Sequence, residues 1–73
     1  MNEVRKLNRI KAVLAEQGVS GKDLANALGV SPITVSRWAQ NSSQPDLYML
    51  DKIARYLNVD VSELLNNTNK LKL

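Results

Sequence analysis

Residues 21–40 read GKDLANALGVSPITVSRWAQ, and they carry the strongest folding signals in the chain. Gly29 ends a first run of helix-forming residues, because glycine takes a left-handed conformation without steric cost. Ser31 and Pro32 begin a second helix, since serine caps a helix and proline fits the first helical position. The stretch therefore predicts two short helices joined by a tight turn at Gly29, Val30 and Ser31.

The apolar residues of this stretch fall on one face of each helix. Leu24, Ala25 and Leu28 form the inner face of the first helix, and Val35 and Trp38 point inward from the second. Two helices cross closely only where a contact residue is small, and Ala25 opposite Val35 meets that condition. This arrangement is typical of a helix-turn-helix, whose second helix enters the major groove of DNA.

Helical spacing also precedes this stretch. Residues 3–16 carry apolar side chains at i, i+3 and i+7, which predicts a helix that ends at Gly18. Ser20 caps the next helix, and Asp23 suits both the capping arrangement and the helix dipole. The apolar stripe of the first helix consists of Val4, Leu7, Ile10, Val13 and Leu14.

Two more helices are predicted after residues 21–40. Asp46 caps a helix that ends at Asn58, with an inner face made of Leu47, Leu50, Ile53, Ala54 and Leu57. A capping box from Asp60 to Glu63 opens a fifth helix, with Leu64 and Leu65 as its buried anchors. The predicted fold class is all-α, with five short helices, no strand, and packing to hold them together. The predicted domain spans residues 1–69, and residues 70–73 form a short tail.

Composition limits the possible functions. Seventy-three residues allow one small domain, and the chain has neither cysteine nor histidine. It therefore lacks disulfides, thiolate metal sites, the commonest general base and the commonest metal ligand. We expect no enzymatic activity, no catalytic residues, no metal and no cofactor. No apolar run approaches the roughly 20 residues of a membrane span, so we expect a soluble cytoplasmic protein without a membrane partner.

The positive charge is concentrated in the half that holds the helix-turn-helix. The net charge is +3, with six basic and three acidic residues in positions 1–40 and four of each in positions 41–73. Such a bias suits a polyanionic partner. However, only Lys22 and Arg37 are basic between Leu14 and Pro45. A protein-interaction module that does not bind DNA therefore stays open as an alternative.

The outward face of the second helix in the motif is the predicted base-reading surface. Arg37 can donate two hydrogen bonds to guanine, and Ile33 can contact a thymine methyl group. Gln40 can read adenine or lie over the DNA backbone. The alternatives are an ordinary surface arginine and an isolated surface isoleucine. The predicted set is Pro32, Ile33, Thr34, Ser36, Arg37 and Gln40.

Phosphate contacts are predicted from the elements beside that helix. The start of the preceding helix offers a hydroxyl group, free N–H groups and a cation, and the loop at residues 41–44 offers small polar donors. An ordinary solvated turn is the alternative for this loop. Arg5 and Arg9 lie one turn apart on the predicted first helix. Two roles are open for them, a solvated helix face or a contact with phosphate. The predicted set is Ser20, Gly21, Lys22, Ser31, Asn41, Ser42, Ser43, Gln44 and Tyr48.

The sequence VSGKDLANALGVSPITVSRWAQ, followed by P-x-L-x-x-L-x-x-I-A-x-x-L-N-V-x-x-x-x-L-L, resembles the phage-repressor and Cro type of helix-turn-helix domain. The resemblance covers about residues 5–66. It implies a compact five-helix, lambda-repressor-like domain that binds a two-fold symmetric operator as a homodimer. It also implies a dimer interface with Val61 as the main apolar contact, made of Asn58, Val59, Asp60, Val61, Ser62 and Leu65.

The chain departs from this family pattern in two places. Many relatives pair a basic residue late in the first helix with an acid at the end of the third, where this chain has Leu14 and Ala39. An apolar contact is therefore expected to replace the ion pair. Many relatives also have long polar residues early in the recognition helix, where this chain has Pro32 and Ile33. Direct base reading should accordingly depend more on Arg37.

Together these features predict a sequence-specific DNA-binding transcriptional regulator, a repressor encoded by a bacterium, phage or plasmid. Its expected partners are double-stranded DNA and a second copy of itself. The main alternative is the antitoxin of a toxin–antitoxin pair, which has the same fold but a protein as its main partner. A toxin reading frame beside the gene would favour that alternative.

Overall fold

The computed structural model describes residues 6–66, and this region is helical. Its elements, in chain order, are α1 (Ile10–Gln17), α2 (Gly21–Leu28), α3 (Pro32–Ala39), α4 (Leu47–Leu57) and a 3₁₀ helix (Val61–Leu64). Within residues 6–66 the only β-type pairing is one isolated bridge. The predicted roles of Val4 and Arg5, the domain end at residue 69 and the tail at residues 70–73 lie outside the described residues.

One apolar core joins all five elements. The inner faces predicted for α2 and α3 are confirmed, and α2 packs most extensively on α3. Leu47 is an exception to the predicted inner face of α4, because it occupies the first helical position and is 75% exposed. The core consists of Ile10, Val13, Leu14, Leu24, Ala25, Leu28, Val35, Trp38, Ile53, Ala54, Leu57 and Leu64.

The predicted helix ends are confirmed at most boundaries. The Ser20 hydroxyl accepts a hydrogen bond from the Asp23 N–H at 3.0 Å, and the Asp46 carboxylate accepts one from the Met49 N–H at 2.8 Å. Gly29 has a φ of 73°, and Asn58 has a φ of 57°. These local signals set the lengths of the helices without reference to the rest of the chain.

The prediction of a first helix over residues 3–16 is wrong at its N-terminal end, because α1 begins only at Ile10. Residues 7–9 are instead non-helical, and Asn8 forms an isolated antiparallel bridge with Leu65. The Arg9 N–H donates to the Leu64 carbonyl at 2.8 Å, and the Asn66 N–H donates to the Leu7 carbonyl at 2.9 Å. These long-range hydrogen bonds replace the helical ones, and Leu7 is consequently 37% exposed instead of buried.

Asn8 lies at the centre of a buried polar network. Among residues 6–66, Asn8 is the only buried polar residue, with 3% of its surface exposed. Its Oδ1 accepts from the Ile10 N–H at 2.9 Å, and its Nδ2 donates to the Trp38 carbonyl at 2.9 Å and to Gln44 Oε1 at 2.7 Å. The network therefore fixes the start of α1 and ties it to the end of α3.

The main chain of Asn8 is tied to the loop after α3 as well. The Asn8 N–H donates to Asn41 Oδ1 at 2.9 Å, and Asn41 Nδ2 donates to the Asn8 carbonyl at 3.1 Å. Asn41, in the loop after α3, takes a left-handed conformation with a φ of 61°. The two asparagines thus exchange hydrogen bonds across 33 positions of sequence.

The prediction of a fifth α-helix is also wrong. Residues Val61–Leu64 form a 3₁₀ helix, and the Asp60 side chain makes no capping hydrogen bond. The chain becomes extended at Leu65, because that residue pairs with Asn8 in the antiparallel bridge. Leu64 is fully buried as predicted, whereas Leu65 is 41% exposed and is not a core anchor.

Asn8→Ala should destabilise the fold. The substitution removes the hydrogen bonds to Ile10, Trp38 and Gln44 and leaves buried polar groups without these partners, so we expect a loss of about 1–3 kcal/mol in the free energy of unfolding. Urea denaturation measures this loss. Asn26→Ala is the matched control on the exposed face of α2, where the change should stay within about 0.5 kcal/mol. Equal effects of the two substitutions would contradict the role assigned to Asn8.

Candidate nucleic-acid interface

The start of α3 is held by its own serine. The Ser31 hydroxyl accepts from the Thr34 N–H at 3.2 Å and lies 3.0 Å from the Thr34 hydroxyl. Pro32 occupies the first turn, where a missing N–H costs nothing. The hydroxyl of Ser31 is therefore engaged as a helix cap, and its contact with phosphate stays a prediction.

The outer side of α3 carries the six predicted base readers. Thr34 is half-buried, and the other five residues are exposed. Ile33 is 65% exposed although it is a large apolar residue. Val35 and Trp38 are buried on the opposite side of the same helix, as the sequence predicts. The structure thus separates an inner, packed face of α3 from an outer face that is open to a partner.

Arg37 is the one strongly charged group on that outer face. Among residues 6–66, its guanidinium group forms no salt bridge or hydrogen bond. Its backbone carbonyl accepts from the Ser42 N–H at 2.9 Å and from the Ser43 N–H at 3.4 Å. The main chain at Arg37 is consequently fixed, while its five N–H donors are available to an external acceptor.

Gln40 behaves differently from Arg37. Its amide Nε2 donates to the Ser36 hydroxyl at 3.3 Å, one helical turn back. The side chain therefore lies along the outer surface of α3. From there it can meet either a base edge or the DNA backbone, and both predicted roles stay open.

The loop after α3 divides its side chains between two tasks. Asn41 and Gln44 belong to the Asn8 network, and Gln44 Nε2 also donates to Asn41 Oδ1 at 3.0 Å. Ser42 and Ser43 are exposed at the tip of the loop. Of the four phosphate-contacting residues predicted here, two hold the loop in place and two present hydroxyl groups to the outside.

A groove of about 500 Å³ joins the start of α2 to the outer face of α3. Gly21 and Lys22 line one side, and Ser36 and Gln40 line the other. The ion-pair positions of the family are occupied here by Leu14, which is buried, and Ala39, which is half-buried, and both face this groove. The structure thus brings together predicted base-reading and phosphate-contacting residues from two helices.

The start of α4 exposes two large side chains, Leu47 at 75% and Tyr48 at 70%. The Lys52 Nζ lies 5.5 Å from the centroid of the Tyr48 ring, which is within reach of a cation–π contact. An exposed tyrosine with a cation held over its ring suits a nearby anion. The phosphate contact predicted for Tyr48 therefore has a favourable setting but stays a prediction.

Arg9 has intramolecular partners instead of an open position. Its guanidinium group donates to the Glu63 carbonyl at 2.9 Å and forms a salt bridge with Glu16 at 3.0 Å. It therefore connects α1 to the 3₁₀ helix. The alternative role of Arg9 as a phosphate contact is weakened by these bonds, and Arg5 lies outside the described residues.

The predicted dimer residues form the junction between α4 and the 3₁₀ helix. Val59 and Val61 are partly buried against the core of their own chain, and Leu65 is 41% exposed. Asn58, Asp60 and Ser62 are exposed. The segment therefore combines three partly accessible apolar residues with three exposed polar ones, and its contact with a second chain stays a prediction.

Two residues of this region were missed at the sequence level. Asn8 was not singled out, because no local pattern marks a residue whose partners lie 30 or more positions away. Lys11 lines the groove beside α3, and no local pattern in the first helix predicts that position. Within residues 6–66, no cluster of three or more potential metal ligands occurs, and no helix has the length and apolarity to span a bilayer.

The profile of a helix-turn-helix family matches residues 10–64, well over half of the chain. A crystal structure from Bacteroides fragilis, of a protein to which DNA binding has been ascribed, is 53% identical. The match covers 82% of this chain and 97% of that one, with a TM-score of 0.81. No match was found among curated proteins.

Two gene regulators have similar structures. The SOS-response transcriptional repressor LexA from Eubacterium rectale is 25% identical, with a TM-score of 0.73 over 89% of this chain and 68% of that one. The clp gene regulator ClgR from C. glutamicum is 24% identical, with a TM-score of 0.70 over 75% of this chain and 71% of that one, which shows the fold alone. From the profile match and the close Bacteroides relative, the chain belongs to the helix-turn-helix family, in its phage-repressor and Cro type.

Proposed function

We propose that this chain is a sequence-specific DNA-binding transcriptional regulator that acts in the cytoplasm as a repressor and binds a two-fold symmetric operator as a homodimer. The observation that carries this proposal is the outer face of α3. That face exposes an arginine with no salt-bridge or hydrogen-bond partner among residues 6–66 and a large apolar residue, Ile33, beside the start of α2. An exposed face of this kind on a rigid helix suits the edges of bases in the major groove.

The reading chemistry is assigned to few side chains. Arg37 donates to the O6 and N7 atoms of guanine, and Ile33 contacts a thymine methyl group. Lys22, Ser42 and Ser43 lie on the elements that flank α3, where they contact phosphates and set the position of the helix. Sequence preference therefore rests on α3, and the flanking elements supply affinity that does not depend on sequence.

The dimer follows from the small size of the reading surface. One short helix with two main readers contacts only a few base pairs, and a second copy doubles the contact. Two recognition helices about 34 Å apart read successive major grooves, which requires an operator with matching two-fold symmetry. Repression is supported by the Eubacterium rectale relative, which is named as a transcriptional repressor. Occupation of an operator by such a dimer blocks access to the DNA.

The central experiment is the selection of bound sequences from a random duplex pool at two salt concentrations. We expect recovery of a palindromic sequence at both concentrations. Binding without sequence preference, with a steep dependence on salt alone, would show a general polyanion binder and would refute the proposal.

Arg37→Ala should relax the preference at one position in each half-site. The loss of a bidentate contact to guanine removes about 1–3 kcal/mol of discrimination at that base pair. Fluorescence anisotropy with the selected operator and its single-site variants measures the effect. Arg55→Ala is the control, because it removes one charge from α4, where Arg55 pairs with Asp51. If Arg37→Ala weakened binding equally for all sequences, Arg37 would be a phosphate contact instead.

Leu65→Glu should shift the protein from dimer to monomer. A charge placed among the apolar residues of the predicted interface must be desolvated on association, which opposes the dimer. Sedimentation equilibrium without DNA measures the shift. Leu47→Glu is the control, since it charges another exposed leucine, at 75% exposure, far from the predicted interface in sequence. An unchanged association constant for Leu65→Glu would place the dimer contact elsewhere.

A further inference from the structure

A second groove adjoins the one beside α3. It has a volume of about 640 Å³ and shares Lys11, Ala15, Ala39 and Gln40 with the first. The two grooves therefore form one channel between α1 and α3, which we call the α1–α3 channel. It runs from the start of α2, at Lys22, to the residues before α1, at Lys6.

Positive charge follows the whole length of this channel. Lys22, Lys11 and Lys6 line it in succession, and all three are exposed. Arg9 also lines it, with its charge partly balanced by Glu16. Among the described residues that line the channel there is no aspartate or glutamate. The channel thus has a uniform sign of charge, although the net charge of the protein is only +3.

The floor of the channel is apolar and open. Leu14, Val35 and Ala39 line its first part, and no ion pair crosses it because Leu14 and Ala39 carry no charge. Asn41 and Asn66 line its second part beside the lysines, and their amide groups donate to the Asn8 carbonyl and so hold the wall of the channel in place. A surface with an apolar floor and exposed lysines along its length complements a sugar–phosphate strand, in which apolar sugars alternate with anionic phosphates.

We propose that the α1–α3 channel binds the DNA backbone beside the bases read by α3, with Lys11 and Lys6 as phosphate contacts. The proposal rests on the proposed function, because the channel begins at the reading face through Ser36 and Gln40. It adds α1 and the residues before it to the DNA-binding surface. These contacts carry no sequence information, so they contribute affinity and leave the base preference unchanged.

The number of phosphate contacts can be read from the salt dependence of binding. Each lysine–phosphate contact contributes about 0.9 to the slope of log affinity against log salt concentration. A variant that has lost one contact therefore binds less tightly than the unsubstituted protein at 50 mM salt. The ratio of the two affinities falls by about threefold when the salt is raised to 200 mM. A contribution from overall charge alone does not depend on where in the protein the charge is removed.

The test uses the full chain and the operator recovered by selection. Lys11→Gln and the double variant Lys6→Gln with Lys11→Gln are compared with Arg55→Gln by fluorescence anisotropy over a range of salt. Lys11→Gln and Arg55→Gln lose the same charge, and Arg55 does not line the channel. We expect the slope to fall by about 0.9 per protomer for Lys11→Gln and by about twice that for the double variant. Arg55→Gln should keep the slope of the unsubstituted protein.

Two further measurements sharpen the outcome. Lys11→Arg keeps the charge and should have the salt slope of the unsubstituted protein. Ethylation of the phosphates that Lys11 contacts should weaken the binding of the unsubstituted protein and should not weaken that of Lys11→Gln. Slopes for the lysine variants that match that of Arg55→Gln would overturn the proposal, as would a change in base preference. Absence of sequence-specific binding by the unsubstituted protein would instead refute the proposed function, so the two failures are distinct.

Discussion

The exchange of hydrogen bonds between Asn8 and Asn41 is the contact on which the rest of the structure depends. It joins the segment before α1 to the loop that follows α3, and the Asn8 side chain adds a hydrogen bond to the Trp38 carbonyl. A buried amide stays favourable only while its donors and acceptors are paired, so this network tolerates one relative position of α1 and α3. That position is also the one that opens the α1–α3 channel, so the fold and the proposed DNA-binding surface share one constraint.

This constraint divides the polar residues around α3 into two groups. In the first group, the side chains form internal hydrogen bonds; its members are Asn41, Gln44 and Ser31. In the second group, the side chains form no such bonds among the described residues; its members are Arg37, Ser42 and Ser43. The first group makes the backbone of the second group rigid. A reading surface with few side chains benefits from such rigidity, because binding then costs little conformational entropy.

Local structure was predictable from the sequence, and non-local structure was not. The ends of α2, α3 and α4 follow from residues such as Gly29 and Asp46, whose effect reaches only one helical turn. The start of α1 and the extended conformation at Leu65 depend on pairing between residues 7–9 and 64–66, which lie at opposite ends of the chain. Helical periodicity at Leu7 was therefore misleading, since the competing hydrogen bonds come from residues that no local pattern includes. In the candidate site, helical spacing predicts which residues of α3 are buried, and it therefore also predicts which residues lie on its outer face.

The distribution of charge is a second property that could not be predicted from local sequence. Along the sequence, only Lys22 and Arg37 are basic between Leu14 and Pro45, which makes the motif look poorly suited to a polyanion. In the folded chain, Lys11 and Lys6 join Lys22 along one channel beside α3. Coulombic attraction depends on distance in space, and its range in physiological salt is about 8 Å. The packing of α1 therefore adds the charges of Lys11 and Lys6 to those that the motif itself brings to the side of α3.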